Sequence, residues 1–167
     1  FMSSLNLRPA TMADARHLMN WRNDPVSVHA SLSEKPVEWE DHKRWLNQIL
    51  EEGCTKIFIA EQQAIPIGMV RFDPLHGLDQ PHLKRAEMSW IIAPEARGKG
   101  LGRALLEAGL NHYEADLLIA LIKKDNLPSR KIAESVGFRF KSDTEDALRF
   151  ELSRHKDVNV SAQETLS

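Results

Sequence analysis

The chain has one cysteine, Cys54, and one tyrosine, Tyr113, among its 167 residues. A lone cysteine excludes an internal disulfide and suits a reducing compartment, so a cytoplasmic location is expected. Long apolar runs are missing too. None approaches the roughly 20 residues that span a bilayer, and the start lacks the charged-then-apolar layout of a secretory signal, so no membrane partner is expected. Neither sign of charge is in excess, with 22 basic against 24 acidic residues and a formal net charge of -2. That balance excludes a dedicated nucleic-acid binder, which would carry a basic surplus or stripe. The seven histidines are scattered and none stands at metal-ligand spacing from Cys54, so no metal is expected. There is no internal repeat and no linker-like stretch. Met2 behind Phe1 reads as the natural start.

What is present is enough for a core. Apolar residues make up 42% and charged residues 28%, the proportions of a folded domain. The length fits a single domain over residues 1–155, with the polar residues 156–167 as a flexible tail. Residues 5–8 read as a first strand stopped by Pro9, and Thr11-Met12-Ala13-Asp14 as a capping box with Asp in place of Glu. The helix behind it carries Ala15, Leu18, Met19 and Arg22 at helical spacing and should stop near Asp24-Pro25. Residues 26–36 show no clear period and suit a short helix and loop. From 38 to 52, His42, Trp45, Leu46, Ile49 and Leu50 share one helical face, closed by Gly53. Residues 56–61 and 65–72 pair as a hairpin. Residues 73–82, with two prolines and a glycine, read as a loop. A central strand over 85–93, a helix over 98–113 and a strand covered on both faces over 116–122 follow. Pro128 opens a helix that Gly137 ends, and residues 138–141 and 148–152 form a last pair of strands. The order β-α-α-β-β-β-α-β-α-β-β describes an α+β domain built on a mixed sheet.

The chemistry is concentrated between Ser89 and Arg103: a strand, Pro94-Glu95-Ala96, then Arg97-Gly98-Lys99-Gly100-Leu101-Gly102-Arg103 opening a helix. The first amides of a helix have no internal partners, and the helix dipole attracts anions to that end. Glycines at 98, 100 and 102 let a bulky phosphate approach the backbone. Arg97, Lys99 and Arg103 add positive charge around the same point, and such a nest suits a pyrophosphate. The plainer reading is a glycine-rich turn that merely starts a helix. A Walker loop is excluded, because Arg103-Ala104 stands where Lys-Ser or Lys-Thr is required. A dinucleotide fingerprint fits poorly, since Gly102 follows Gly100 too closely.

Arg97-x-x-Gly100-x-Gly102, behind a strand and Pro94-Glu95, resembles the acetyl-CoA signature of the GNAT superfamily of N-acetyltransferases. Asn126-Leu127-Pro128-Ser129 with Glu134-Ser135-Val136-Gly137-Phe138 resembles its second signature, and Leu7-Arg8-Pro9-Ala10 followed by Asp14 its usual opening. The resemblance covers residues 5–154. It implies a GNAT fold: a mixed, mostly antiparallel sheet of about seven strands flanked by about four helices, with the fourth and fifth strands splayed around the pantetheine arm of acetyl-CoA. By similarity, the backbone of Trp90, Ile91 and Ile92 would pair with the pantetheine amides, and an amide there would steady the thioester oxyanion. Arg97, Gly98, Lys99, Gly100, Leu101, Gly102 and Arg103 would hold the pyrophosphate, with Asn126 and Ser129 beside the distal pantetheine and the thiol. Taken alone, Asn126 reads as a turn residue and Ser129 as a helix cap.

The same resemblance implies direct attack of a neutral amine on the thioester, with a base to take its proton. Glu87, on the fourth strand where many relatives carry that base, is assigned the role; read by itself it is a solvated face residue. The tyrosine that many relatives use to protonate the leaving thiolate is replaced here by Ala133, and Tyr113 falls on another helix. Ser129 matches the hydroxyl position of the ribosomal-protein N-terminal acetyltransferases and is the remaining proton donor, although a thiolate needs little acid help near neutral pH.

For the acceptor, Trp21-Arg22-Asn23-Asp24-Pro25 and His42-x-x-Trp45 resemble the branch that includes the nucleotide-linked amino-sugar acetyltransferases of pseudaminic acid-type pathways. Trp21 would stack on a ring and Arg22 pair with a phosphate; the plainer reading packs Trp21, His42 and Trp45 between helices and sheet. A small-molecule amine is therefore the expected acceptor, ahead of a protein N-terminus or lysine, with a non-catalytic acyl-CoA-binding module as the third reading. A monomer and a homodimer both fit.

Overall fold

A computed structural model of the chain describes residues 5–77 and 79–154. The sequence start and the tail assigned to 156–167 lie outside the described residues. The elements are β1 (Asn6–Pro9), α1 (Ala15–Asn23), α2 (Pro25–Ala30), α3 (Trp39–Glu52), β2 (Lys56–Gln62), β3 (Ile65–Leu75), β4 (Arg85–Ile92), α4 (Leu101–His112), β5 (Leu117–Ile122), α5 (Leu127–Ser135), β6 (Arg139–Asp143) and β7 (Leu148–Ser153). The seven strands form one sheet in the order β1-β2-β3-β4-β5-β7-β6. Every neighbouring pair is antiparallel except β4 and β5. None of the helices is long and apolar enough to cross a membrane, among the described residues.

The opening of the chain folds as its side chains dictate. Asp14 Oδ2 accepts from the Thr11 amide at 2.8 Å, and the Thr11 hydroxyl oxygen accepts from the Ala13 amide at 3.3 Å. Aspartate completes this box, where glutamate is usual, because the turn it opens, Met12–Asp14, is a tight 3-10 turn. α1 ends at Asn23, and Asp24 at once caps a further helix: its side chain accepts from the Val26 amide while Pro25 occupies the first turn. The expected short helix after residue 25 is therefore α2, which brings the α-helices among the described residues to five.

β3 is longer than its composition suggests. Pro74 reads as a breaker, yet the strand runs through it to Leu75. Ala93 donates to the Ile67 carbonyl, so the odd-numbered residues of β3 turn their backbone toward β4 and the even ones toward β2. β2 starts at Lys56, opposite Phe72. Pro74 therefore faces a side on which no strand remains, and its missing N–H costs no ladder bond.

Adjacent residues of β3 point to opposite faces of the sheet. Val70 meets α4, where Gly109 lets the helix so close that an added Cβ would stand 3.1 Å from the valine side chain. Arg71 meets α3 on the other face, its guanidinium 5.0 Å from the Trp45 ring centroid. Leu18, Trp21 and Leu46 fill the core beneath α1 and α3. Leu105, Leu106, Phe72 and Met88 are likewise buried.

Candidate active site

β4 and β5 are paired only from Arg85–Leu117 to Glu87–Ile119. Beyond that point β4 stays with β3, and β5 continues with β7. The two strands separate, and a cleft of about 1240 Å³ opens in the gap, walled by β4, the starts of α4 and α5, and residues of α1, α2 and α3.

Strand alternation decides which backbone groups face this cleft. Lys84 offers its carbonyl to Asp116 and Leu117 on the β5 side, whereas Ala93 bonds to β3. Even-numbered residues of β4 therefore turn toward β5, and past Glu87 toward the open gap. Trp90 and Ile92 present unpaired backbone groups there. Ile91, grouped with them on sequence, turns its backbone to β3 and offers the cleft only its side chain.

The glycine cluster divides into two functions. Gly98 and Gly100 have φ of +76° and +71°, and an added Cβ at either would meet nothing within 4 Å. They allow the chain to turn left-handed, which leaves their backbone open to the cleft. Gly102 lies inside α4, where a Cβ would come 2.4 Å from Ile132 Cδ1; it brings α4 against α5. No side chain caps the start of α4. The first amides of the helix are thus available to an anion, and the open loop, the uncapped start and the cleft together fit a pyrophosphate-bearing cofactor.

The basic residues around the nest are less free than their spacing suggests. Arg97 Nη1 lies 2.7 Å from Asp24 Oδ2, and Nη2 donates to Ser27 Oγ at 3.2 Å. Arg103 is bound one turn along α4 to Glu107 at 2.8 Å. Lys99 is exposed, and the Leu101 side chain is buried, so Leu101 offers only its amide. Asn126 caps α5, its Oδ1 accepting from the Ser129 amide at 3.3 Å. Both residues line the cleft with Pro128.

Glu87 is half-buried on the β4 face that looks into the cleft. Burial pushes its carboxyl above the usual carboxylate range; the nearby Asp73 adds to this and Arg71 opposes it. Asp73, directly opposite Glu87 on β3, went unrecognised in the sequence because Pro74 beside it reads as loop. The signal was there: Arg71 and Asp73 alternate at strand spacing.

Of the acceptor residues, Trp21 requires correction. It is only 4% exposed, inside the core, and does not line the cleft, so its ring is not open to a stacking sugar. Arg22 lines the cleft. Its Nη2 donates to Ser33 Oγ at 2.9 Å, and its buried Nη1 has no hydrogen-bond partner. His42 is a packing residue: Nε2 donates to the Ala15 carbonyl at 3.0 Å, and the ring sits between Trp39 and Trp45. Burial pushes its pKa down, which keeps it neutral. Tyr113 stacks on Phe72 with ring centroids 4.2 Å apart. Phe72 points away from the face of Arg71 and Asp73, so the lone tyrosine stands on the other side of the sheet from Glu87.

Known proteins share this fold. A spermidine N-acetyltransferase from Vibrio cholerae, solved in complex with CoA and spermine, matches with a TM-score of 0.78 and 22% identity, over 90% of this chain and 95% of that one. The family model of the acetyltransferase (GNAT) domain matches residues 4–139. The chain belongs to the GNAT acetyltransferase family, and its class is that of an acyl-CoA-dependent N-acetyltransferase. Among curated relatives, an N-acetyltransferase 9-like protein from Nematostella vectensis is 27% identical over 139 residues, covering 75% of this chain and 69% of that protein. The acetyltransferase PseH of Campylobacter jejuni is 22% identical over 131 residues, covering 77% and 79%.

Proposed function

We propose that the enzyme transfers the acetyl group of acetyl-CoA to the primary amine of a small molecule, a nucleotide-linked amino sugar in particular. The observation that carries this reading is the gap beyond Glu87, where the inward backbone of Trp90 and Ile92 leads to the uncapped start of α4. When bound, acetyl-CoA supplies an acetyl thioester. The amides of Gly98 to Arg103 would hold the pyrophosphate, and Trp90 and Ile92 would pair with the amides of the pantetheine arm. A backbone amide of β4 would lie where it could steady negative charge on the thioester carbonyl oxygen. Glu87 takes the proton of the attacking amine, and Ser129 donates a hydrogen bond to the departing sulfur.

Arg22 favours a small anionic acceptor over a peptide amine. Its buried, unpaired Nη1 is a costly arrangement that a phosphate or carboxylate relieves. The likeness to PseH over most of both chains agrees with an amino-sugar acceptor, and the spermine-bound neighbour agrees with a small amine more broadly.

The test is acetyl transfer from acetyl-CoA, followed as thiol release and product mass, over a panel holding nucleotide-linked amino sugars, polyamines and ribosomal-protein N-terminal peptides. The sugar nucleotides should give the highest kcat/KM, and Arg22→Gln should raise KM for them without altering CoA affinity. Preferred turnover of peptides would replace this reading with the protein-modifying one. Coenzyme A binding without transfer to any amine would leave a binding module.

A further inference from the structure

We propose that Asp73, bonded by Arg71 and Thr55 directly opposite Glu87, is a positioning residue that keeps Glu87 ready to accept the amine's proton. This rests on the reading of Glu87 as the base.

The register pairs Asp73 with Glu87 across β3 and β4. Residues directly opposite in an antiparallel pair extend their side chains to the same face, and like charges so placed destabilise a sheet. The two carboxylates are unequally supported. Asp73 Oδ1 accepts from Thr55 Oγ1 at 3.0 Å and from Arg71 Nη2 at 2.8 Å, and Oδ2 lies 2.8 Å from Arg71 Nε. Arg71 is itself held in place over the Trp45 ring. The Glu87 carboxylate makes no hydrogen bond or ion pair with any described residue. When two neighbouring carboxylates compete for one proton, the better-stabilised anion keeps its charge and the other takes the proton. Of the two, Glu87, whose carboxylate has no bonded partner, is the proton acceptor.

The direction of the Glu87 shift agrees: burial raises it, the Asp73 charge raises it further and Arg71 lowers it. β5 adds no charge beside this pair, since Leu117 to Ile122 is apolar throughout. The other charged or titratable groups lining the cleft are Arg22 of α1, His29 of α2, Asp41 and His42 of α3, Arg97, Arg103 of α4, Asp125, and Lys131 of α5. A base with raised proton affinity does more of the work at neutral pH than an ordinary surface carboxylate. In the step, an N–H bond of the amine breaks, its electron pair stays on nitrogen, and the proton forms an O–H bond on Glu87. Asp73 exchanges no proton; its charge sets how strongly Glu87 holds one.

The test compares pH–rate profiles of kcat/KM for wild type, Glu87→Gln, Asp73→Asn and Arg71→Gln, together with a carbon-13 NMR titration of the Glu87 carboxyl in the free enzyme. Glu87→Gln should remove the acid limb. Asp73→Asn should move that limb, and the NMR midpoint, to lower pH, and Arg71→Gln to higher pH, each on the order of one pH unit from the loss of a neighbouring charge. Coenzyme A affinity should be unchanged in all three. An acid limb that persists in Glu87→Gln removes the base itself from the scheme. A limb that depends on Glu87 but moves the same way, or not at all, in the two β3 variants overturns the role of Asp73 while leaving Glu87 in place. If Asp73→Asn does not fold, the direction of the Arg71→Gln shift decides.

Discussion

Arg97 Nη1 stands 2.7 Å from Asp24 Oδ2, so one partly buried ion pair ties the loop ahead of α4 to the residue that caps α2. The loop ahead of α4 and the start of α2 are thus joined through the Asp24 carboxylate. Ser27, also on α2, takes a second bond from the same guanidinium.

Asp24→Asn keeps a side-chain oxygen for the cap but removes the charge. It should weaken coenzyme A binding several-fold in calorimetry with little change in Tm. Asp24→Ala loses the cap as well and should cost about 1 kcal/mol more in stability. Wild-type affinity in Asp24→Asn would mean that the ion pair has no part in holding the donor loop.

Gly100 offers a way to separate shape from charge. Asparagine and aspartate both tolerate a left-handed φ better than other residues, and the two are nearly the same size. Gly100→Asp should lower coenzyme A affinity on the order of 100-fold or more, about 2.7 kcal/mol, through repulsion of phosphate. Gly100→Asn should stay within about tenfold of wild type, since its cost is backbone strain alone. Equal affinities would place the phosphates somewhere other than this turn.

Gly102→Ala tests packing, because the new methyl collides with the Ile132 side chain. A destabilisation of about 1–3 kcal/mol is expected from overpacking, read by urea unfolding. Ile132→Val, which removes the colliding Cδ1, should recover much of that loss, giving a clear coupling in the double-mutant cycle. Independent, additive effects would show that α4 and α5 do not meet at this point.

The Arg8–Asp14 pair predicts an acid limb of stability. Burial alone would raise the Asp14 carboxyl, but the hydrogen bonds from Arg8 and the Thr11 amide outweigh it, and the net shift is downward. A depressed folded value means that the contribution is complete above the unfolded aspartate value of about 3.9 and disappears as pH falls through the folded one. Asp14→Asn should therefore be less stable than wild type near neutral pH, and the difference should shrink in denaturant titrations taken well below pH 4. A constant difference across pH would show that the charge of Asp14 is not what stabilises the turn.

Much of this could be read from residue order. The amphipathic spacing of α3, the turn at Gly53, the apolar run of β5 and the Gly-rich opening of α4 each carry a local physical signature, and each element lies where that signature puts it. Local signatures failed where a remote partner decided the outcome. Pro74 looked like a breaker, and only the starting point of β2 shows that its missing donor costs nothing. Trp21 looked available for stacking, and only the packing of α1 buries it. Arg97 and Arg103 looked like free charges, but Asp24 and Glu107 engage them.

Chain order was enough for the class of fold and for the glycine-rich turn that opens α4, because periodicity, turn chemistry and glycine spacing act between residues close along the backbone. The tertiary structure alone decided that β4 and β5 part just after Glu87, that Trp90 and Ile92 rather than Ile91 open their backbone into the gap, and that Asp73 stands across from Glu87. Those facts depend on the pairing of strands far apart in the chain, where a shift of one residue turns every side chain and every amide to the opposite side.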